Sequence, residues 1–160
     1  TTLFRSVLWI LSQLFERTGA MIPRHRAWDK IHKTMYEVDD IMSIDFGKSE
    51  ISVKTLFFER TNYYKFDDIV LMQSTGLTDK NGKEIFEGDI IAIEVEDLEA
   101  PVNAKVFCNN DIGVLMFHVF EDSEDVPMVE LLEDNSVAFA VIGNIWEDGE
   151  LLDVENTEEN

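Results

Sequence analysis

Two turn signals near the middle of the chain, Asp79-Lys80-Asn81-Gly82 and Glu87-Gly88-Asp89, constrain its fold more than any other feature. Apolar runs flank both. Gly82 and Gly88 can take the positive φ that closes such turns. Residues 71–91 therefore read as a joint rather than an active site, with one strand-rich unit entering and another leaving.

The rest of the pattern is also strand-like. Polar and apolar positions alternate over residues 24–28 and 34–38 around Asp29-Lys30, which predicts a hairpin. Residues 41–46 and 50–58 predict a second around Gly47-Lys48. Tyr63, Tyr64 and Phe66 add aromatic bulk before the apolar run 69–72. Beyond Gly88, strands are expected over 90–96, 102–108, 113–120 and 137–145. Short strands at this spacing suggest a small barrel. Pro127 leads into a short helix or an edge strand holding Val129, Leu131 and Leu132. Residues 153–160 are too polar to pack and are expected to form a disordered acidic tail.

Residues 1–20 differ in kind. Leu3, Phe4, Val7, Leu8, Leu11, Leu14 and Phe15 recur at helical spacing up to Gly19, which predicts an amphipathic helix. Its longest apolar run, residues 7–11, is far shorter than the roughly 20 residues of a membrane span. No signal-peptide cleavage pattern follows it. Its apolar face is expected to cover the body of the protein or a second copy, ahead of a membrane surface. With exposed barrel edges, it leaves homo-oligomerisation open.

The central stretch resembles the signature of the YopX-like proteins, small proteins encoded by phages and prophages of mainly Gram-positive bacteria. Three further segments carry the resemblance: Ile22-Pro23-Arg24-His25-Arg26-Ala27-Trp28-Asp29, Lys33-Thr34-Met35-Tyr36-Glu37-Val38 and Val141-Ile142-Gly143-Asn144-Ile145-Trp146-Glu147. It implies a phage origin, the cytoplasm of an infected or lysogenic bacterium, and a C-terminal barrel of the SH3 kind. It implies no catalytic residues. Met21 matches the family's usual start. The expected class is thus mainly β (α+β). Residues 1–20 form an extra helix, 21–83 an N-terminal strand-rich part with some helix, 84–152 an acidic SH3-like small β-barrel, and 153–160 a tail.

Charge is divided along this chain of net charge −20. Residues 1–83 hold 12 of the 13 Lys and Arg against 11 acids, whereas from Glu84 onward 22 acids face Lys105 alone. Nucleic-acid binding by the second part is disfavoured, because phosphate contacts need Lys and Arg to release counterions. Such a field steers a protein toward basic surfaces, and it also keeps a small protein soluble.

Chemistry-bearing motifs are sparse. The single cysteine, Cys108, follows Val106 and Phe107 and reads as a reduced, packed thiol, which fits a cytosolic setting. Counted from Asp79, a calcium loop would need glycine sixth and glutamate twelfth, but Glu84 and Ile90 stand there. No phosphate-binding Gly-rich loop is present. His25, His32 and His118 stand beside no activated nucleophile. Glu121, Asp122, Glu124 and Asp125 supply oxygen ligands without the loop geometry of a cation site. No enzyme activity, cofactor or metal is expected.

The leading expectation is a non-catalytic interaction protein. Its acidic face, Glu94, Glu96, Asp97, Glu99, Glu121, Asp122, Glu124 and Asp125, would dock on a host or phage protein with a basic surface. One version is an inhibitor that mimics nucleic acid. The alternative is nucleic-acid or small-ligand binding through Arg24, Arg26, Trp28 and Tyr36, since cations beside aromatics pair with phosphates and stack on bases.

Overall fold

A computed structural model describes residues 22–55 and 60–156 of the chain, the last four by their backbone alone. The expected helix over 1–20, the far end of the strand expected to reach residue 58, and residues 157–160 lie outside the described residues. Strands β1 (His25–Asp29) and β2 (Thr34–Tyr36) form the hairpin that their alternation predicts. Asp29 closes its turn, one carboxylate oxygen accepting the N–H groups of Ile31 and His32 at 2.9 and 3.0 Å. Strands β3 (Ile41–Asp45) and β4 (Glu50–Lys54) form the second hairpin. The aromatic stretch after it is a strand in its own right, β5 (Thr61–Lys65), paired along β4.

Strands β6 (Ile69–Thr78) and β7 (Glu84–Phe86) complete a four-stranded sheet in the order β2-β1-β6-β7. It packs against the three-stranded sheet β3-β4-β5 over Ala27, Ile51, Val53 and Ile69, with Tyr36, Tyr64 and Leu71 at the margin. Ile51 and Val53 are fully buried, and each such side chain contributes about 1.5–3 kcal/mol.

The second part contains β8 (Asp89–Val95), β9 (Val102–Asn109), β10 (Val114–Val119), β11 (Glu124–Pro127), the short helix α1 (Met128–Leu132) and β12 (Val137–Asn144). These strands make one antiparallel sheet in the order β11-β10-β9-β8-β12. It curls around Ile91, Ile93, Ala104, Val106, Phe117 and Phe139, and Met128 of α1 fills the same core. Edge strands β11 and β12 do not pair with each other, so the sheet is a half-barrel. The fold is mainly β, as expected.

The structure redraws three boundaries. Glu84 does not open the second part: β7 pairs with β6, while its Ile85 packs into the half-barrel core. The hairpin is shared, and the sheets change over at Gly88. Glu124 and Asp125, which fall outside the strands expected from the sequence, lie in β11. Residues expected to fray from 153 onward include the end of a 3-10 helix, Gly149–Asn156.

Candidate functional site

Two carboxylates of the central stretch fasten it to segments about sixty residues away. Asp89, at the start of β8, accepts a hydrogen bond from Nη2 of Arg26 on β1 at 2.5 Å through one oxygen, and the Phe86 N–H at 2.8 Å through the other. Both side chains are almost wholly buried, at 6% and 1% exposure, and the guanidinium lies 4.8 Å from the Phe86 ring centre. Burial pushes the Asp89 carboxyl above its ordinary range, and Arg26 and the Phe86 amide only partly counter that.

Asp79 fastens the other turn. One oxygen accepts the N–H groups of Asn81 and Lys83, and the second accepts that of Val141 on β12 at 2.9 Å. Burial pushes this carboxyl up, but the three amide donors outweigh it and hold the group below the usual carboxylate range. Lys80 N–H also donates to Phe139 O, so the turn covers part of the outer edge of β12, where another strand would otherwise add.

Glycine is required where these parts meet. Gly88, with φ of +83°, donates its N–H to Val106 O and accepts the Ile145 N–H. A Cβ there would lie 3.4 Å from Trp146 Nε1 and 3.5 Å from Met72 Sδ. Trp146 in turn stacks on Trp28 of β1, ring centres 6.3 Å apart. A Cβ on Gly143 would come within 2.6 Å of Asp148 Oδ2, the acceptor of the Asn144 N–H. Gly143→Ala is therefore expected to displace Asp148 and leave that amide unpaired. The cost is about 1–3 kcal/mol, read as a lower urea midpoint at unchanged slope.

These contacts frame a cleft of about 480 Å³ between the four-stranded sheet and the half-barrel. All four segments quoted above line it: Arg24 and Arg26 from the first, Glu37 and Val38 from the second, Lys83, Glu84, Phe86 and Asp89 from the third, and Val141 to Asn144 with Glu147 from the fourth. Asp39 and Asp148 complete the wall. Arg24 is bound to Glu84 at 3.0 Å.

Arg24, Arg26, Trp28 and Tyr36 do not form one exposed surface. Arg24 is exposed, but Arg26 and Trp28 belong to the interior, at 5% and 6% exposure. The hydroxyl of Tyr36 is 2.9 Å from that of Tyr64. Burial, and then Tyr64, push the Tyr36 phenol well above its ordinary value. Cation and aromatic stacking on a base is therefore not available to the four together.

The acidic residues fare differently. The register places Val95, Val102, Val119, Glu124 and Val137 at one end of the half-barrel. The turns holding Glu96, Asp97 and Glu99, and Glu121 and Asp122, leave from that end, as does Asp134 before β12. Glu96, Glu130, Glu133 and Asp134 line a shallow depression there. Two of the eight predicted residues are paired: Glu94 with Lys80 at 2.7 Å, and Asp125 with His118 Nδ1 at 2.7 Å. Among the described residues, no group of three or more His, Cys, Asp or Glu side chains is placed to hold a metal ion. No helix among them is long and apolar enough to cross a membrane.

Glu130, Glu133, Asp134 and the cleft acids escaped the sequence reading. The first three follow from no motif, and only the strand register brings them beside Glu96. Asp79 and Asp89 were visible as turn residues, but no sequence signal identified their distant partners.

Comparison with solved structures finds a protein from Enterococcus faecalis, EF1440, at 29% identity and a TM-score of 0.55, covering 83% of this chain and 99% of that one. The protein yopX from Bacillus subtilis matches at 21% identity and a TM-score of 0.58, covering 81% of this chain and 97% of that one, which shows a shared fold. Comparison with curated proteins finds no match. The family model described as YopX protein matches residues 24–153 and so takes in all the joint residues described above; the chain belongs to the YopX family.

Proposed function

We propose that this protein is a non-catalytic interaction protein of phage origin that docks the acidic end of its half-barrel on a basic surface of a host or phage protein. It would act in the cytoplasm of the infected or lysogenic bacterium. The half-barrel is read as a variant of the SH3 kind. Five antiparallel strands support that reading, with the last set beside the first and a short helix before it.

The observation that carries the proposal is the gathering of Glu96, Asp97, Glu99, Glu121, Asp122 and Asp134 at one end of one sheet. From Glu84 onward the sole Lys or Arg is Lys105, which stands in mid-sheet opposite Ile90 and His118. Carboxylates on separate loops present spaced negative charge, which complements a phosphate-binding groove as well as any other basic surface. The nucleic-acid-mimicking inhibitor is the most specific form of this proposal.

Capture from nuclease-treated bacterial lysate, at low and high salt, tests it. A discrete basic protein should be retained without nucleic acid and released as salt screens the contact. Recovery of nucleic acid alone, or of proteins lost after nuclease, would count against acidic docking.

A further inference from the structure

The turn that Asp79 fastens contains the dipeptide Asn81-Gly82. Asp79 N–H donates to Lys83 O at 2.8 Å, and Gly82 N–H donates to Asp79 O at 3.0 Å. Within the turn only Gly82 has a positive φ, of +81°. These features define a type I turn followed by a left-handed glycine. Asn81 and Gly82 are both exposed, and nothing lies within 4 Å of the place a Gly82 Cβ would take.

An asparagine before glycine carries an electrophile and a nucleophile side by side. The Gly82 nitrogen attacks the side-chain carbonyl carbon, Cγ, of Asn81, and glycine has no side chain to obstruct the approach. The new N–Cγ bond closes a cyclic succinimide. The Cγ–Nδ2 bond breaks, and ammonia leaves with the proton given up by the Gly82 nitrogen. Water, the only co-reactant, then opens the ring at either carbonyl to give aspartate or isoaspartate at position 81.

The fold sets how often this chemistry is reached. Attack requires rotation about the Cα–C bond of Asn81, out of the turn, and release of Gly82 N–H from Asp79 O. Asp79 Oδ1 also accepts the Asn81 and Lys83 amides at 2.9 and 2.8 Å, on either side of the reacting pair. Lys80 Nζ ties the same turn to Glu94 of β8 at 2.7 Å. The reaction therefore waits for local opening of the turn. Its isoaspartate product routes the main chain through Cβ and Cγ and so adds one carbon between the Asn81 and Lys83 amides. One carboxylate oxygen then no longer spans both, and the bond from the other oxygen to Val141 on β12 weakens with them.

We propose that Asn81 is a modification site, converted to isoaspartate without an enzyme at a rate set by opening of the Asp79 turn, and that conversion loosens the hold of this turn on β12.

The test needs no partner. Full-length protein and the capped peptide Thr-Asp-Lys-Asn-Gly-Lys-Glu are incubated side by side at mildly alkaline pH. Position 81 is followed by peptide mapping with mass spectrometry, since conversion changes the mass by the difference between water and ammonia, and isoaspartate is assayed separately. Both should convert, with isoaspartate among the products. The full chain should be slower by about tenfold or more, because opening breaks hydrogen bonds to a charged acceptor. The protection of the Gly82 amide against hydrogen exchange should give the same factor, and Asp79→Asn should lower both factors together. Asn81→Ser should abolish the modification. Converted protein, separated by ion exchange, should unfold at a lower urea concentration than unconverted protein. The proposal is overturned by equal rates in chain and peptide, or by no conversion within the time that the Gly82 protection predicts. Conversion to aspartate alone, or an unchanged urea midpoint after conversion, would overturn it as well.

Discussion

Arg26→Ala is expected to lower stability by about 3–5 kcal/mol, because it strands the buried Asp89 carboxylate without its opposite charge. A domain of this size has only about 5–15 kcal/mol in total, so the variant should sit near its unfolding threshold at ordinary temperatures. Asp89→Ala should cost a similar amount by leaving the guanidinium unpaired and the Phe86 N–H without its acceptor. Neither figure is the net worth of the pair. Desolvation offsets most of the attraction, and replacing both residues with apolar ones of similar volume should recover much of the loss. Urea unfolding of the two single variants and an Arg26→Met, Asp89→Leu double variant checks this. A double variant as unstable as the sum of the singles would show that Arg26 and Asp89 are not coupled.

The second large effect is expected at Asp79. Replacement by Asn keeps the shape but turns an N–H donor toward amides that already donate. The expected cost is about 2–3 kcal/mol at neutral pH, from at least one orphaned donor among Asn81, Lys83 and Val141. The substitution should also change the pH profile. The folded group titrates below its reference value of 3.8, so its contribution is fully present above that value and is lost as the pH falls through the lower folded value. The wild type should therefore lose stability faster than Asp79→Asn between pH 4 and the onset of acid unfolding. Asp29, whose carboxyl is also held low by its hydrogen bonds despite burial, adds acid sensitivity to both proteins and cancels in the difference. Melting temperatures measured from pH 2 to 6 test the prediction, and parallel profiles would remove Asp79 as the source.

Much of the strand pattern was legible because alternation and turn chemistry are local. The hairpin at Asp29-Lys30, the turn at Gly47-Lys48 and the strands after Gly88 each follow from a few neighbouring residues. β5 was missed because Tyr63 is exposed and Tyr64 is not, in a five-residue strand flanked by charges, so aromatic bulk hid the alternation. The place of β7 was misjudged for a different reason. Glu84 begins the acid-rich half of the chain, but three residues of backbone pairing with β6, and not net charge, decide which sheet it joins.

The candidate sites were legible in part. The eight acidic residues could be named, but their meeting at one end depends on the register of β8, β9, β10 and β12. Arg26 and Trp28 looked like a ligand surface because alternation alone does not say which face of β1 is inward. Here the strand is covered on both sides: Arg26 and Trp28 share one face, under Asp89, Phe86 and Trp146, and Ala27 on the other face packs against Ile51 and Val53. A stretch that stands out as a family signature therefore serves to hold two sheets together, and the cleft follows from how they meet.

The most direct test of acidic docking is a side-by-side capture with the wild type and a Glu96→Gln, Asp97→Asn, Glu121→Gln, Asp122→Asn variant. All four positions are exposed and contribute no core contact, so the variant should fold with unchanged far-UV circular dichroism and melting temperature. Acidic docking predicts that the basic partner retained by the wild type at low salt is lost from the variant. Retention of the same partner in the same amount by both proteins would contradict it.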